Sequence, residues 1–263
     1  MIPARLASTR LPGKLLLDST GRPLLSYAID RAIAALRQSP SFFRDVYVVA
    51  DDESLCRIAE QYGVKSIASR SAHVNGTSRI AAAVRELKGS AEFDFVVNLQ
   101  GDHPQVAPDA ILRVANALVE HSSADMSTAA VPIDANDRET LECRNVVKVW
   151  MNQATQATAF SRSTRQLNLD QESAELQSAH RHVGIYAYRV DFLETYARLP
   201  PSPGELREDL EQLRALEHRA DIRVVTIPGA MAGPGIDTAE EYASFVRSVM
   251  SPPGARSSVE SDS

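Results

Sequence analysis

Phe95-Val96-Val97-Asn98-Leu99-Gln100-Gly101-Asp102 is a continuous β-branched and apolar run that stops abruptly at polar turn residues. Such a run, beginning at Phe93, predicts a strand buried on both faces, as in a parallel sheet covered by helices. Its last residue places a carboxylate at the carboxyl end of the strand, where open α/β sheets bind their ligands. Val46-Tyr47-Val48-Val49-Ala50 has the same character and also ends in acids, Asp51-Asp52. Helical periods fill the intervals. Leu25, Ile29, Ile33 and Leu36 follow Pro23, while Ile111, Val114, Ala115 and Leu118 follow Pro108, and proline is well tolerated at a helix start. Further helices are expected at 205–218 on Leu206, Leu210, Leu213 and Leu216, and at 239–249 on Tyr242, Phe245, Val246 and Val249. Strands are expected near 126–132, 146–150, 183–188 and 222–227. This alternation defines an α/β fold, read as one layered domain over 1–250 around a mostly parallel sheet.

Periodicity fades between about 134 and 181, where Gln153-Ala154-Thr155-Gln156 and Asn168-Leu169-Asp170-Gln171-Glu172 are polar, so an inserted arm or long loop is expected there. Residues 251–263, rich in Ser, Pro and Gly, are expected to be a disordered tail. The first loop begins at Ile2-Pro3 with no apolar run before it. A sheet missing its first strand, with the true start upstream, is the expectation, because an empty slot would expose backbone groups on both neighbours.

The chain has 263 residues, with 28 basic and 34 acidic side chains and a formal charge of −6. That balance argues against nucleic acid as a partner, since nucleic-acid binding leans on a basic surface. No apolar run approaches the roughly 18 residues that span a bilayer, and the start has no signal-peptide core, so neither membrane nor export is expected and the cytoplasm is the default. Cys56 and Cys143 are far apart and lack metal-ligand spacing, which favours buried free thiols.

One local basic loop stands out. Arg5-Leu6-Ala7-Ser8-Thr9-Arg10-Leu11-Pro12-Gly13-Lys14 packs three cations, two hydroxyls and a turn glycine together. Guanidinium forks, a mobile ammonium and turn N–H groups suit phosphate oxygens; a solvated basic loop has the same composition. Asp237 follows the turn Gly233-Pro234-Gly235-Ile236 and either brings a second carboxylate toward Asp102 or caps the next helix. One or two carboxylates with phosphate oxygens would suit Mg²⁺. Gln100 carries both a donor and an acceptor, which suits a base or sugar edge.

Taken in order, Arg5 to Lys14, His73-Val74-Asn75-Gly76-Thr77-Ser78-Arg79, Asn98 to Pro104, Asn145 to Val149, Arg181 to Arg189, Leu210-Glu211-Gln212-Leu213-Arg214 and Gly235-Ile236-Asp237-Thr238 resemble the 3-deoxy-manno-octulosonate (Kdo) cytidylyltransferases, a branch of the sugar nucleotidyltransferases. The resemblance covers about 3 to 250. It implies a three-layer, Rossmann-like nucleotidyltransferase sheet with an inserted arm, and transfer of a cytidylyl group from CTP to the anomeric hydroxyl of Kdo. This gives CMP-Kdo and pyrophosphate for lipopolysaccharide-type glycan synthesis. It further implies that Arg10 and Lys14 stabilise the β- and γ-phosphates and that Asp102 and Asp237 ligate Mg²⁺. Arg5, Ser8, Gly76, Thr77 and Gln100 would face the nucleotide, and His182, Tyr186, Glu211 and Gln212 the sugar acid. Either Arg181 or Arg189 would pair the sugar carboxylate, and the arm would build a homodimer.

Three positions depart from the family pattern. His103 stands where the family has Glu, Ser78 where it has Asp, and the Ile-Pro continuation past Phe160-Ser161-Arg162 is absent. Two other readings therefore stay open: transfer to another nonulosonic or modified octulosonic acid, and a catalytically weak nucleotide-binding paralogue.

Overall fold

The computed structural model describes residues 1–69, 75–87, 93–164 and 179–251. Strands β1 (Ile2–Ala4), β2 (Tyr47–Ala50) and β3 (Lys65–Ala68) pair in parallel. Strand β4 (Phe95–Leu99) pairs antiparallel with the long β8 (His180–Arg189), which pairs antiparallel with β5 (Met126–Pro132), itself parallel to β9 (Ile222–Thr226). Met1 joins the two groups: its N donates to Val97 O at 2.6 Å and its carbonyl accepts from Leu99 N at 3.0 Å, the slanted pattern of parallel neighbours. The order is therefore β3-β2-β1-β4-β8-β5-β9, with β8 alone reversed.

Side-chain alternation divides two cores between the faces. On one, Ile2, Val48, Leu99, Val183, Ile185 and Ala187 pack with helices α1 (Leu24–Gln38), α2 (Glu53–Gln61) and α4 (Pro108–Glu120). On the other, Val96, Met126, Tyr186 and Tyr188 pack with α3 (Gly76–Leu87) and the helix at Val190–Tyr196. Each large side chain so buried contributes about 1.5–3 kcal/mol. The result is the helix–sheet–helix layering expected from the sequence.

Two expectations need correction. The slot of the first strand is not empty: Ile2, Pro3 and Ala4 fill it opposite Val48, Val49 and Ala50, with Ile2 and Ala4 buried. Pro3 conceals this strand in the sequence, because proline is disfavoured in a central strand, yet hydrogen bonds on either side of it close the ladder. The helix expected over 205–218 is broken. Asp209, at φ 53°, ends a short helix at Pro203–Glu208, and a second begins at Gln212–Glu217. Leu206 consequently points to solvent, 73% exposed, while Leu210 and Leu213 enter the core.

Within 134–181 the described residues form a short helix, α5 (Arg138–Glu142), and a hairpin of β6 (Lys148–Met151) and β7 (Ala157–Ser161) that joins the sheet through β8. Lys148 is fully buried and donates to Cys143 O, Val146 O and Arg162 O, each at 2.8 Å, which pins the hairpin base. Residues 165–178 of that segment, and 252–263 of the tail expected to be disordered, lie outside the described residues. Cys56 and Cys143 are free and half-buried rather than fully enclosed. No helix among the described residues is long and apolar enough to cross a membrane.

Candidate active site

The loops that follow β1, β4 and β9 meet at one edge of the sheet. Gly13, at φ 64°, lets the first loop turn into a 3-10 turn at Lys14–Leu16, a conformation open to glycine at little cost. With Leu15 buried beneath it, Lys14 is carried to the end of β4. Its ammonium donates to Asp102 Oδ2, to Asp237 Oδ1 at 2.9 Å and to Ile236 O at 2.9 Å, which uses all three donors. Arg10 Nη2 meets the other Asp237 oxygen at 2.9 Å. Ile236 N bonds Asp102 O at 3.0 Å, so the two acidic loops are also stapled through the backbone. Burial would depress the Lys14 pKa, but Asp102 and Asp237 outweigh it and the pKa rises. Burial would likewise raise that of Asp237, yet Lys14 and Arg10 pull it below the usual carboxylate value.

The capping alternative for Asp237 is settled by the geometry. Thr238 is the cap of the helix at Ala239–Met250: its Oγ1 accepts from Glu241 N at 3.2 Å, and Glu241 Oε2 accepts from Thr238 N at 2.9 Å. That reciprocal pair is a capping box, and it leaves the Asp237 carboxylate to Lys14 and Arg10. Because oxygens of Asp102 and Asp237 both bind one ammonium, they are close enough to share one cation. Among the described residues no group of three His, Cys, Asp or Glu side chains gathers to hold a metal, so a metal here would need further oxygens from a ligand.

Gly76 lies beside Gln100. A Cβ on Gly76 would stand 3.3 Å from Pro3 Cγ and 3.7 Å from Gln100 Oε1. Gln100 Nε2 donates to Asn98 Oδ1 at 3.2 Å. Thr77, expected to face the nucleotide, lies in the first turn of α3. It is fully buried, with its hydroxyl 3.0 Å from Tyr188 OH, because the first turn of α3 packs its apolar face on the sheet. Ser78 and Asn75 exchange hydrogen bonds at that helix start. His73 and Val74 lie outside the described residues. Arg5 is exposed and Ser8 half-buried on the loop after β1. That loop is held by a residue the sequence reading did not single out: Asp51 accepts from Leu6 N at 2.9 Å and from Arg79 Nη2 at 3.0 Å. The acidic end of the β2 run was the available signal.

On β8, His182 Nε2 lies 2.9 Å from Thr128 Oγ1, and its ring stands edge-on to Phe160 and 5.5 Å from Tyr186. Tyr186 OH donates to Gln212 Oε1 at 3.3 Å, and Glu211 Oε2 accepts from Thr77 N at 3.5 Å. The four residues expected to serve a sugar acid are thus neighbours, held by the second short helix. Burial raises the Glu211 pKa. The two candidate arginines have different surroundings. Arg189 donates to Ala124 O and Leu118 O, each at 2.7 Å, and covers the Phe95 ring, so it closes the C-terminal end of α4. Arg181 is half-buried, lies near His103 and His182, and pairs with no carboxylate among the described residues.

Burial drives the His182 pKa down to about 3. The unfolded chain, titrating near 6.5, then binds more protons than the folded one at acid pH. The stability contributed by a neutral His182 is present above pH 6.5 and is lost as pH falls toward 3, by roughly 2 kcal/mol at pH 5. His182→Gln should flatten the pH dependence of urea-unfolding stability between pH 7 and 5; an unchanged slope would refute it.

A doubly covered, mostly parallel sheet with cationic and acidic loops converging at its carboxyl edge defines a nucleotidyltransferase fold. The chain belongs to the cytidylyltransferase family, whose sequence profile matches residues 1–222. A 3-deoxy-manno-octulosonate cytidylyltransferase of Thioalkalivibrio sulfidiphilus is 39% identical over 244 residues, covering 91% of this chain and 94% of that one. Another, from Polynucleobacter necessarius, is 40% identical over 241 residues, covering 92% and 91%. A solved structure of CMP:2-keto-3-deoxy-manno-octonic acid synthetase complexed with CTP superimposes with a TM-score of 0.78 at 34% identity, covering 95% of this chain and 96% of that one.

Proposed function

We propose that this protein transfers a cytidylyl group from CTP to the anomeric hydroxyl of 3-deoxy-manno-octulosonate, releasing pyrophosphate. The observation that carries this reading is the convergence of Asp102 and Asp237 on Lys14 beside Arg10. The names of relatives matched over nine-tenths of the chain support the substrates. Lys14, whose donors the free protein directs to Asp102, Asp237 and Ile236, turns to the β- and γ-phosphates with Arg10. Arg5 and Ser8 extend that cradle, while Gln100 and the backbone at Gly76 read the nucleoside edge. Asp102 and Asp237 would hold Mg²⁺, which when bound neutralises phosphate charge and acidifies the attacking hydroxyl. His182, Tyr186, Glu211 and Gln212 orient the sugar hydroxyls, and Arg181 pairs the carboxylate. Attack on the α-phosphorus is in line and needs no covalent intermediate, so the residues act mainly by positioning and charge stabilisation.

Pyrophosphate release with CTP, Mg²⁺ and a panel of sugar acids tests the reading. Turnover with Kdo, lost on chelation and restored by Mg²⁺, is expected. Turnover only with another acid transfers the reading to that acid, and CTP binding without any turnover favours a weak paralogue. Arg181→Met should raise the KM for Kdo at least tenfold with the KM for CTP within twofold, whereas Arg189→Met should lower thermal stability instead. Equal effects on both substrates would remove Arg181 from the carboxylate. A cytoplasmic homodimer serving lipopolysaccharide-type glycan synthesis completes the proposal on the resemblance; a concentration-independent monomer in sedimentation overturns its dimer.

A further inference from the structure

We infer that Asp51 is a positioning residue that holds the phosphate-binding loop and the nucleoside-binding start of α3 at a fixed separation, an inference that rests on the cytidylyl transfer proposed above. Asp51 directly follows β2, and its N donates to Ala4 O at 3.3 Å. The residue is therefore fixed to the ladder of β1 and β2, at the edge of the sheet where both elements lie. Its carboxylate oxygens divide between them. Oδ1 accepts from Leu6 N at 2.9 Å, inside the loop that carries Arg5, Ser8, Arg10 and Lys14, and Oδ2 accepts from Arg79 Nη2 at 3.0 Å, near the start of α3. One side chain thus bonds a backbone group of one wall and a guanidinium of the other.

The surroundings set this bridge apart from a surface ion pair. The Arg79 side chain is 7% exposed and that of Asp51 29%, so the charge-assisted bond is partly shielded from water, where such bonds are stronger than exposed ones. The two walls also pack directly. A Cβ on Gly76 would stand 3.3 Å from Pro3 Cγ, so the bare glycine lets the helix start close against β1. Packing at Pro3 and the bridge at Leu6 together fix both distance and angle, whereas packing alone would leave the loop free to hinge.

The span of the ligand says what this serves. A nucleoside triphosphate carries its base and its terminal phosphates at opposite ends. Only a ligand that reaches both walls benefits from a separation set beforehand, because walls that must first be brought together add an ordering cost to binding. Pyrophosphate has the phosphates without the nucleoside, and CMP lacks the two phosphates assigned to Arg10 and Lys14. A positioning role therefore costs CTP alone, while damage to one wall would weaken the fragment that binds there.

The test measures the KM for CTP and for Kdo, with inhibition by pyrophosphate and by CMP, in the Mg²⁺-loaded protein. Asp51→Asn, which leaves one oxygen for two donors, should raise the KM for CTP about tenfold, with the KM for Kdo and both inhibition constants within about twofold of the parent. Arg79→Gln should act in the same direction, and the double variant should be no worse than the poorer single one, since both remove the same bridge. Asp51 is the less buried partner, so its variant decides the matter if Arg79→Gln does not fold. An unchanged KM for CTP in Asp51→Asn, or a weakening of pyrophosphate or CMP that matches that of CTP, overturns the inference while leaving the cytidylyl reading intact. A parent that makes no CMP-Kdo overturns both.

Discussion

Asp102→Asn is expected to lower kcat/KM for cytidylyl transfer about a thousandfold while the protein remains folded. Removing one preorganised charge-stabilising group typically costs a hundred- to a thousandfold, and Asp102 is both an anchor of Lys14 and half of the proposed metal site. The fold loses little. Asp102 is 24% exposed, its carbonyl bond to Ile236 N is untouched by the substitution, and Lys14 keeps Asp237 and Ile236 O. With Asp102 gone, the Lys14 pKa should fall, because Asp102 is the larger of the two influences that raise it. Asp237→Asn should act similarly, and the double variant should lose far less than the product of the two, since groups that act as a unit are not additive. Steady-state kinetics with a thermal melt measures both arms. An Asp102→Asn protein with full rate would end the assignment of this cluster to catalysis.

Most of this cluster was legible in the sequence because its members end strongly patterned elements. The run at Phe95–Leu99 fixed where Asp102 would emerge, and the Gly233 to Ile236 turn marked Asp237. What could not be read was the contest for Asp237 between cap and cluster: Thr238 and Glu241 decide it, and a capping box competes with its neighbours only in three dimensions. The strand at Ile2–Ala4 escaped because a proline outweighs two apolar residues in any local reading, whereas the sheet needs only its backbone and the burial of Ile2. The burial of Thr77 escaped for a different reason. The first turn of a helix after a glycine carries no local sign of the Tyr188 hydroxyl that the sheet beneath supplies. The split of 205–218 was hidden because its leucines keep a helical period, while Asp209 in the left-handed region and a buried ion pair set the actual break.

That ion pair carries the second large effect. Arg214 grips Glu205 in a fork, Nε to Oε2 at 2.7 Å and Nη2 to Oε1 at 2.6 Å, with side-chain exposures of 6% and 10%. The guanidinium also lies over the Tyr196 ring at 5.0 Å. Glu205 simultaneously closes the capping box with Ser202. Arg214→Met would strand a carboxylate among buried groups, and breaking a buried pair from one side costs about 3–5 kcal/mol. Glu205→Gln combined with Arg214→Met should recover a large part of that loss, since the uncompensated charge, more than the absent attraction, is what destabilises. The consequence reaches the site because the pair clamps the two short helices around Glu211 and Gln212, which contact Thr77 and Tyr186. In the single variant, the KM for the sugar acid should therefore rise at temperatures well below the melt, with the KM for CTP nearly constant. Urea titration of parent, single and double variants reads the first effect and substrate-resolved kinetics the second. If the double variant proves no more stable than Arg214→Met, the stranded-charge explanation fails and the helix pair must owe its stability to the attraction itself.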